Sequence, residues 1–172
     1  MTLVIFDYDD TLFPSTYFQY DQNIPKKYFK KLDNVIYNLI ISILNKNYKI
    51  IIVSNGSIEW IKYSVVNLPK LKQFLDNNII RCISTRDTYE QTLIPYEQWK
   101  HYGIANILTS SKYCNQKYII GIGDSDIDYD AIVNACNYTG KKHQFIKFTP
   151  EMSINMLIDT IDKFNDYFKQ YL

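Results

Sequence analysis

The chain has 172 residues, of which 47% are hydrophobic and 16% aromatic, so it can bury a core and is neither disordered nor fibrous. Lysine and arginine number 19 against 18 acidic residues, and a formal charge of +1 makes a nucleic-acid partner unlikely on composition. The densest apolar stretch, Val35–Leu44, is interrupted by polar residues, so we expect no membrane span. Three widely spaced cysteines and an N-terminus without a cationic segment predict a cytoplasmic protein.

Five short, apolar and β-branched runs along the chain predict the strands of a sheet. They cover Leu3–Phe6, Lys49–Val53, Ile79–Ile83, Tyr118–Ile122 and Gln144–Phe148. The first four runs are continuous rather than alternating, which is typical of strands buried on both faces of a parallel sheet.

Apolar residues at helical spacing between these runs predict the connecting helices. The predicted helices are Val35–Leu44, one N-capped by Ser57, one from Pro95 to about Leu108, and a C-terminal one capped by Thr149 with Pro150 in its first turn. Alternating strands and helices predict an α/β three-layer sandwich, in which helices cover both faces of a mainly parallel, five-stranded, Rossmann-like sheet. We expect one domain over residues 1–172. The segment Phe13–Lys31 has no clean period and is predicted to be a loop or a small flap.

Polar side chains follow three of the predicted strands at the point where each strand ends. Asp7 and Asp9 follow the first strand, Ser54 follows the second, and Asp124 follows the fourth. Because parallel strands present their carboxyl ends at one edge of a sheet, these side chains are expected to converge there. Carboxylates that lie close together repel one another, and Mg²⁺ bound by their oxygens is the simplest remedy.

Three sequence strings carry these residues: FDYDDTL, IIIVSNG and GIGDSDID. They resemble the first, second and fourth motifs of the haloacid dehalogenase (HAD-like) superfamily, in its aspartate-nucleophile phosphatase branch. The third motif of that family is a Lys or Arg on the helix before the last of these strands. We assign it to Lys100, with Lys112 and Lys117 as alternatives closer to the strand. The resemblance extends from Leu3 to about Cys136.

The resemblance implies a Mg²⁺-dependent phosphomonoester hydrolase that acts through an aspartyl-phosphate intermediate. Asp7 would be the nucleophile, and Asp9 would give a proton to the leaving oxygen and later take one from water. Lys100 would offset charge that develops on the phosphoryl oxygens. Asp7, Asp124 and the main-chain carbonyl of Asp9 would hold Mg²⁺, while Asp128 would orient Lys100 or a bound water from further out.

The same resemblance implies a set of residues around the phosphoryl group. Thr11 would brace the loop after the first strand, and Ser54, Asn55 and Gly56 would hold phosphoryl oxygens. Arg86 follows the third strand and is either a substrate contact or a surface charge.

Two other functions compete with a phosphatase. A catalytically idle binding or scaffold protein would have no reason to carry the acid at Asp9, and the neutral charge argues against a nucleic-acid 3′-phosphatase. The substrate is expected to be a phosphorylated small molecule or a phosphoprotein. Between Thr11 and Ser54, the predicted helix and the second strand leave only Phe13–Lys31, which is too short for a folded cap domain. Crossover helices fill the second interval, from Gly56 to Ile79, so the site should be open. An open site suits a macromolecular substrate or a homo-oligomer whose neighbour supplies a lid.

Overall fold

The computed structural model describes residues 1–21 and 23–172 and contains a five-stranded, all-parallel sheet with helices on both faces. The strands are β1 (Thr2–Phe6), β2 (Lys49–Ser54), β3 (Arg81–Ser84), β4 (Tyr118–Gly123) and β5 (Lys142–Lys147). They lie side by side in the order β3-β2-β1-β4-β5. The predicted fold class is confirmed.

Helices lie in each connection between consecutive strands of this sheet, and one more helix follows β5. They are α1 (Ser15–Tyr20), α2 (Lys26–Asn45), α3 (Ile58–Ser64), α4 (Pro69–Asp76), α5 (Thr85–Tyr89), α6 (Tyr96–Thr109), α7 (Asp126–Thr139) and α8 (Ile154–Tyr171). Among the described residues, no helix combines the length and the apolarity that a bilayer crossing demands.

The alternation of side chains along β1 divides the core into two layers. Val4 and Phe6 belong to the larger layer, which contains the apolar faces of α2, α4 and α8. Leu3 and Ile5 belong to the smaller layer, which contains α6 and α7. The middle of a central parallel strand is therefore apolar, because both of its faces are covered, and the polar residues Thr2, Lys49 and Ser54 stand at strand ends.

The centre of the sheet is the place where the chain reverses its direction of travel. From β1 the chain moves outward to β2 and β3, and it then returns to β4 on the other side of β1. The Asp7 backbone N–H donates to the Ile122 carbonyl at 2.8 Å, which extends the pairing of β1 with β4 by one residue. In open α/β sheets, ligands bind in the crevice beyond the carboxyl ends of strands at such a reversal.

The structure changes the expected bounds of the second helix. α2 begins at Lys26 rather than at Val35, since Phe29 and Leu32 continue its buried stripe toward Pro25. The proposed flap over residues 13–31 is therefore shorter than expected. Its first part contains α1, and its last residues belong to α2.

The predicted cap of the C-terminal helix was wrong. α8 begins at Ile154, and the Ser153 hydroxyl accepts a hydrogen bond from the Met156 backbone N–H. Glu151 has a φ of 56°, a left-handed conformation that cannot continue a helix from Pro150. The short helix α5, which follows β3 directly, was not predicted.

Candidate active site

A cavity of about 540 Å³ lies at the carboxyl edge of the sheet. It is lined by the side chains that follow β1 and β4 and by Lys100 from α6. The predicted residues on its wall are Asp7, Asp9, Asn55, Gly56, Arg86, Lys100, Asp124 and Asp128. The topology of the sheet has thus gathered residues that are far apart in the chain.

The centre of the site is an ion cluster of Asp7, Lys100 and Asp128. The Lys100 ammonium donates to Oδ1 of Asp7 and to Oδ1 of Asp128. These three side chains are only 6% to 7% exposed. Buried charges of this kind persist only when they are paired and hydrogen-bonded, and here one cation serves two anions.

The pKa values in this cluster follow from burial and from the unequal number of charges. Burial raises the pKa of the Asp7 carboxyl well above its usual value; Lys100 opposes this shift, and the charges of Asp128 and Asp9 add to it. Burial acts in the same direction on Asp128, but Lys100 and hydrogen bonds from Ser125 bring its pKa below the usual value. Burial alone would lower the pKa of Lys100, but the two carboxylates raise it, so its ammonium stays charged.

Asp124 brings a third carboxylate to this cluster. Oxygen atoms of Asp7, Asp124 and Asp128 lie within 4.8 Å of one another. Burial, together with the negative charges of Asp128 and Asp10, raises the pKa of Asp124 to about 6. Three carboxylates against one ammonium leave an excess of negative charge, and all the converging ligand atoms are hard oxygens. This donor set fits Mg²⁺.

Local sequence around β4 explains why Asp128 can reach the cluster. Ser125 and Asp128 form a capping box at the start of α7, in which each side chain accepts from the backbone N–H of the other residue. A Cβ atom at Gly123 would lie 2.6 Å from the Asp128 Cβ, so a larger residue there would displace the carboxylate. The glycine before Asp124 is thus required for close approach.

The Asp9 carboxylate is held by different contacts from those of Asp7. Its Oδ1 accepts hydrogen bonds from Ser15 Oγ at 2.5 Å and Trp60 Nε1 at 2.7 Å, and its Oδ2 accepts from Ser54 Oγ at 2.8 Å. Its carboxylate is not among the three that converge within 4.8 Å. The expected participation of Asp9 in metal binding through its main-chain carbonyl stays a prediction.

Several residues assigned to phosphate binding are engaged with the protein itself. Ser54 is fully buried, and its hydroxyl donates to Asp9 while accepting from the Gly56 backbone N–H at 2.7 Å. Asn55 Oδ1 accepts from Thr85 Oγ1, so its amide N–H groups are the donors that remain. Thr11 is fully buried, does not line the cavity, and its hydroxyl has no partner in the described part of the chain.

The predicted cations occupy different environments. Arg86 lies on the cavity wall, exposed, with its guanidinium bonded to Glu90 one helical turn away. Lys112 and Lys117, the alternatives to Lys100, are exposed and belong to the segment that enters β4 at the opposite edge of the sheet. Lys100 is the one of these three lysines that reaches the carboxylates.

Sequence patterns did not identify Ser15 and Trp60 as site residues. They lie on α1 and α3, and neither has a spacing from Asp9 that marks it. The capping box of Ser125 and Asp128 does have a sequence signature, Ser-x-x-Asp, which could have placed Asp128 at a helix start.

No protein-family model matches the sequence, and the comparison with curated proteins found no match. Among solved structures, the chain is similar to the HAD domain of effector protein Lem4 from Legionella pneumophila, with a TM-score of 0.59 and 15% identity over 97% of this chain and 96% of that one. An inactive mutant of the same domain gives a TM-score of 0.56 and 15% identity, over 99% and 98% of the two chains. At this identity the similarity is one of fold, and this chain has the HAD-like α/β fold.

Proposed function

We propose that this chain is a Mg²⁺-dependent phosphomonoester hydrolase. The observation that carries the proposal is the position of Asp7, whose carboxylate opens on the cavity among Lys100, Asp124 and Asp128. A nucleophile, a fixed cation and a set of hard oxygen ligands are what phosphoryl transfer through an enzyme carboxylate needs. The HAD-like fold supports the proposal.

In the proposed reaction, a carboxylate oxygen of Asp7 attacks phosphorus and the bond from phosphorus to the leaving oxygen breaks. Asp9 gives its proton to that leaving oxygen, and an acyl phosphate forms on Asp7. Water then attacks the phosphorus while Asp9 takes a proton from it, which breaks the bond from phosphorus to the Asp7 oxygen, releases inorganic phosphate, and restores Asp7 as a carboxylate and Asp9 as the protonated acid. The Lys100 ammonium offsets negative charge near Asp7 throughout.

Asp7 and Asp124 are the residues that would hold the metal, with Asp128 next to them. Bound there, Mg²⁺ would offset the charge of the phosphoryl oxygens and orient them. Asp128 also accepts a hydrogen bond from the Lys100 ammonium. Its carboxylate therefore positions Lys100 and also lies beside the two carboxylates that would hold the metal.

Access to the cavity bears on the class of substrate. Between β1 and β2, the described residues form only the short α1 and the core helix α2, and Gln19 of α1 reaches the cavity wall. A site without a folded cover does not exclude water by itself. We therefore favour a phosphoryl group carried by a larger molecule, such as a phosphoprotein, over a small phosphorylated metabolite.

The function can be tested with ³²P-labelled aryl phosphate. We expect the full chain to release phosphate in Mg²⁺ and to lose this activity in excess chelator. Acid quenching during turnover should leave label on the protein, and hydroxylamine should release it, because acyl phosphates react with that nucleophile. Full turnover in chelator would contradict the role of the metal, and turnover without any trapped label would contradict the aspartyl phosphate.

The idle binding protein gives a different result in the same assays. It would bind Mg²⁺ at the acid cluster but release no phosphate from aryl phosphate, phosphopeptides or phosphorylated metabolites. That outcome would contradict the proposed hydrolase while leaving the metal site intact.

A further inference from the structure

The Asp9 carboxylate has three neutral hydrogen-bond donors, and two of them meet at one oxygen. Ser15 Oγ and Trp60 Nε1 both donate to Oδ1, at 2.5 and 2.7 Å. Ser54 Oγ donates to Oδ2 at 2.8 Å. A carboxylate oxygen accepts about two hydrogen bonds in its plane, so Oδ1 is filled by the protein and Oδ2 retains room for one further partner.

Trp60 is held rigidly enough to act as a fixed donor. It lies in the first turn of α3, where its backbone N–H donates to the capping residue Ser57. Its ring packs edge-on against Phe13 at 5.9 Å between centroids, with an interplanar angle of 85°. An indole N–H can donate but cannot accept, so this contact requires an oxygen lone pair on Asp9 at all times.

The Ser54 contact orients the other oxygen. The Gly56 backbone N–H donates to Ser54 Oγ at 2.7 Å, so the hydroxyl hydrogen of Ser54 is free to point at Asp9 Oδ2. A Cβ atom at Gly56 would come within 3.0 Å of both Oδ2 and the Trp60 ring. Gly56 lines the cavity, which places Oδ2 next to the space that a substrate would occupy.

We propose that Trp60 and Ser15 are positioning residues that hold Oδ1 of Asp9 and so present Oδ2 to the leaving group. This inference rests on the proposed function. In the proposed reaction, the O–H bond at Oδ2 of Asp9 breaks as its proton forms a bond to the leaving oxygen. Oδ2 later accepts a proton from water. The hydrogens of Trp60 and Ser15 remain on their own atoms throughout.

The hydrogen bond itself can be tested without any activity. Trp60 and Trp99 give two indole N–H signals in a ¹⁵N correlation spectrum, and Trp99 Nε1 donates instead to the Ile94 carbonyl at 2.8 Å. In Asp9→Ala we expect the Trp60 signal to move and its hydrogen exchange to speed up about 10-fold or more, while the Trp99 signal stays in place and reports an intact fold. An unchanged Trp60 signal would overturn the proposed contact.

The positioning role is tested by the dependence on the leaving group. In Trp60→Phe and Ser15→Ala we expect kcat/KM on alkyl phosphates to fall by about 10-fold to about 100-fold, which is the usual effect of losing a hydrogen bond to a charged group. This ratio reports the transfer of the phosphoryl group to Asp7 and leaves out the later attack of water, in which Asp9 acts on every substrate alike. On p-nitrophenyl phosphate, whose leaving group needs little protonation, the loss in kcat/KM should stay below about 3-fold. If Trp60 and Ser15 only stabilised the fold, the rates on alkyl phosphates and on p-nitrophenyl phosphate would fall equally.

Tyr63→Phe is the matched control, because Tyr63 is exposed on the same helix and its ring lies against Trp60 at 6.0 Å. It should keep the wild-type rates on both substrates. Equal losses on alkyl and aryl phosphates in Trp60→Phe would overturn the positioning role. If the wild type hydrolyses no phosphomonoester, the proposed function fails, whereas the spectrum still decides whether Trp60 holds Asp9.

Discussion

Asp7 and Asp9 lie two residues apart on one loop, and the structure holds their carboxylates in opposite ways. Asp7 contacts the Lys100 ammonium inside a group of further acids. Asp9 accepts hydrogen bonds from two hydroxyls and one indole N–H. Interactions among buried ions depend on the balance of charge, whereas neutral hydrogen bonds depend on geometry. We therefore expect added cations to stabilise the ion cluster around Asp7. The hydrogen bonds of Asp9 should instead be sensitive to changes in the side chains that surround it.

The largest effect is expected from replacing the nucleophile. Asp7→Asn keeps the size of the side chain but removes the attacking carboxylate, so kcat for phosphate release should fall by roughly 10³-fold or more. The measurement is phosphate release under saturating Mg²⁺, with circular dichroism to confirm the fold. Asp126→Asn is the control, because Asp126 is exposed at the start of α7 and pairs with Lys147 outside the cluster. A variant at Asp7 that kept more than a few per cent of the rate would contradict the assignment.

Removing the cation from the ion cluster should strongly destabilise the fold. Lys100→Met leaves Asp7 and Asp128 buried without their partner, and in chelator we expect the free energy of unfolding to fall by about 3 to 5 kcal/mol. Urea denaturation measures this change. Lys147→Met breaks an exposed ion pair and should cost about 1 kcal/mol or less. Equal losses in the two variants would show that the cluster does not stabilise the protein.

Mg²⁺ should stabilise the protein through the same acids. At a concentration near 100 times its dissociation constant, the free energy of unfolding should rise by about 2.7 kcal/mol in the wild type. The gain should be larger in Lys100→Met, where the cluster has lost its only lysine, and smaller in Asp124→Asn, which lacks one ligand. Sodium chloride at matched ionic strength is the control for screening. A gain in Asp124→Asn as large as in the wild type would place the Mg²⁺ elsewhere.

The neutral contacts around Asp9 should behave differently toward Mg²⁺. Ser54→Ala removes a donor to Asp9 and an acceptor for the Gly56 N–H, so unfolding should become easier by about 1 to 3 kcal/mol. The stabilisation by Mg²⁺ should match that of the wild type, in contrast to Lys100→Met. Ser42→Ala, in which only a contact to the preceding turn of α2 is lost, should change stability by about 0.5 kcal/mol or less. If Ser54→Ala changed the stabilisation by Mg²⁺, the contacts around Asp9 and the acid cluster around Asp7 would not be independent of each other.

Much of the fold could be predicted because its signals are local. Continuous apolar runs mark strands that are covered on both faces, and the runs before Asp7 and Asp124 are of this kind. Helix ends were predicted less well. Pro150 resembles a first-turn proline, but the left-handed backbone at Glu151 delays α8 to Ile154.

Sequence by itself determined which strand ends carry acids, because a residue that follows a buried parallel strand must emerge at the carboxyl edge of the sheet. It also restricted the third-motif residue to a few lysines. Only the tertiary structure decided that Lys100 reaches Asp7, and that Ser15 and Trp60 hold Asp9. Lys100 and Trp60 are far from their partners in the chain, whereas Ser15 follows Asp9 by only six residues but lies on a separate helix. The geometry of all three contacts depends on how the helices pack on the sheet. No spacing along a single element encodes that packing.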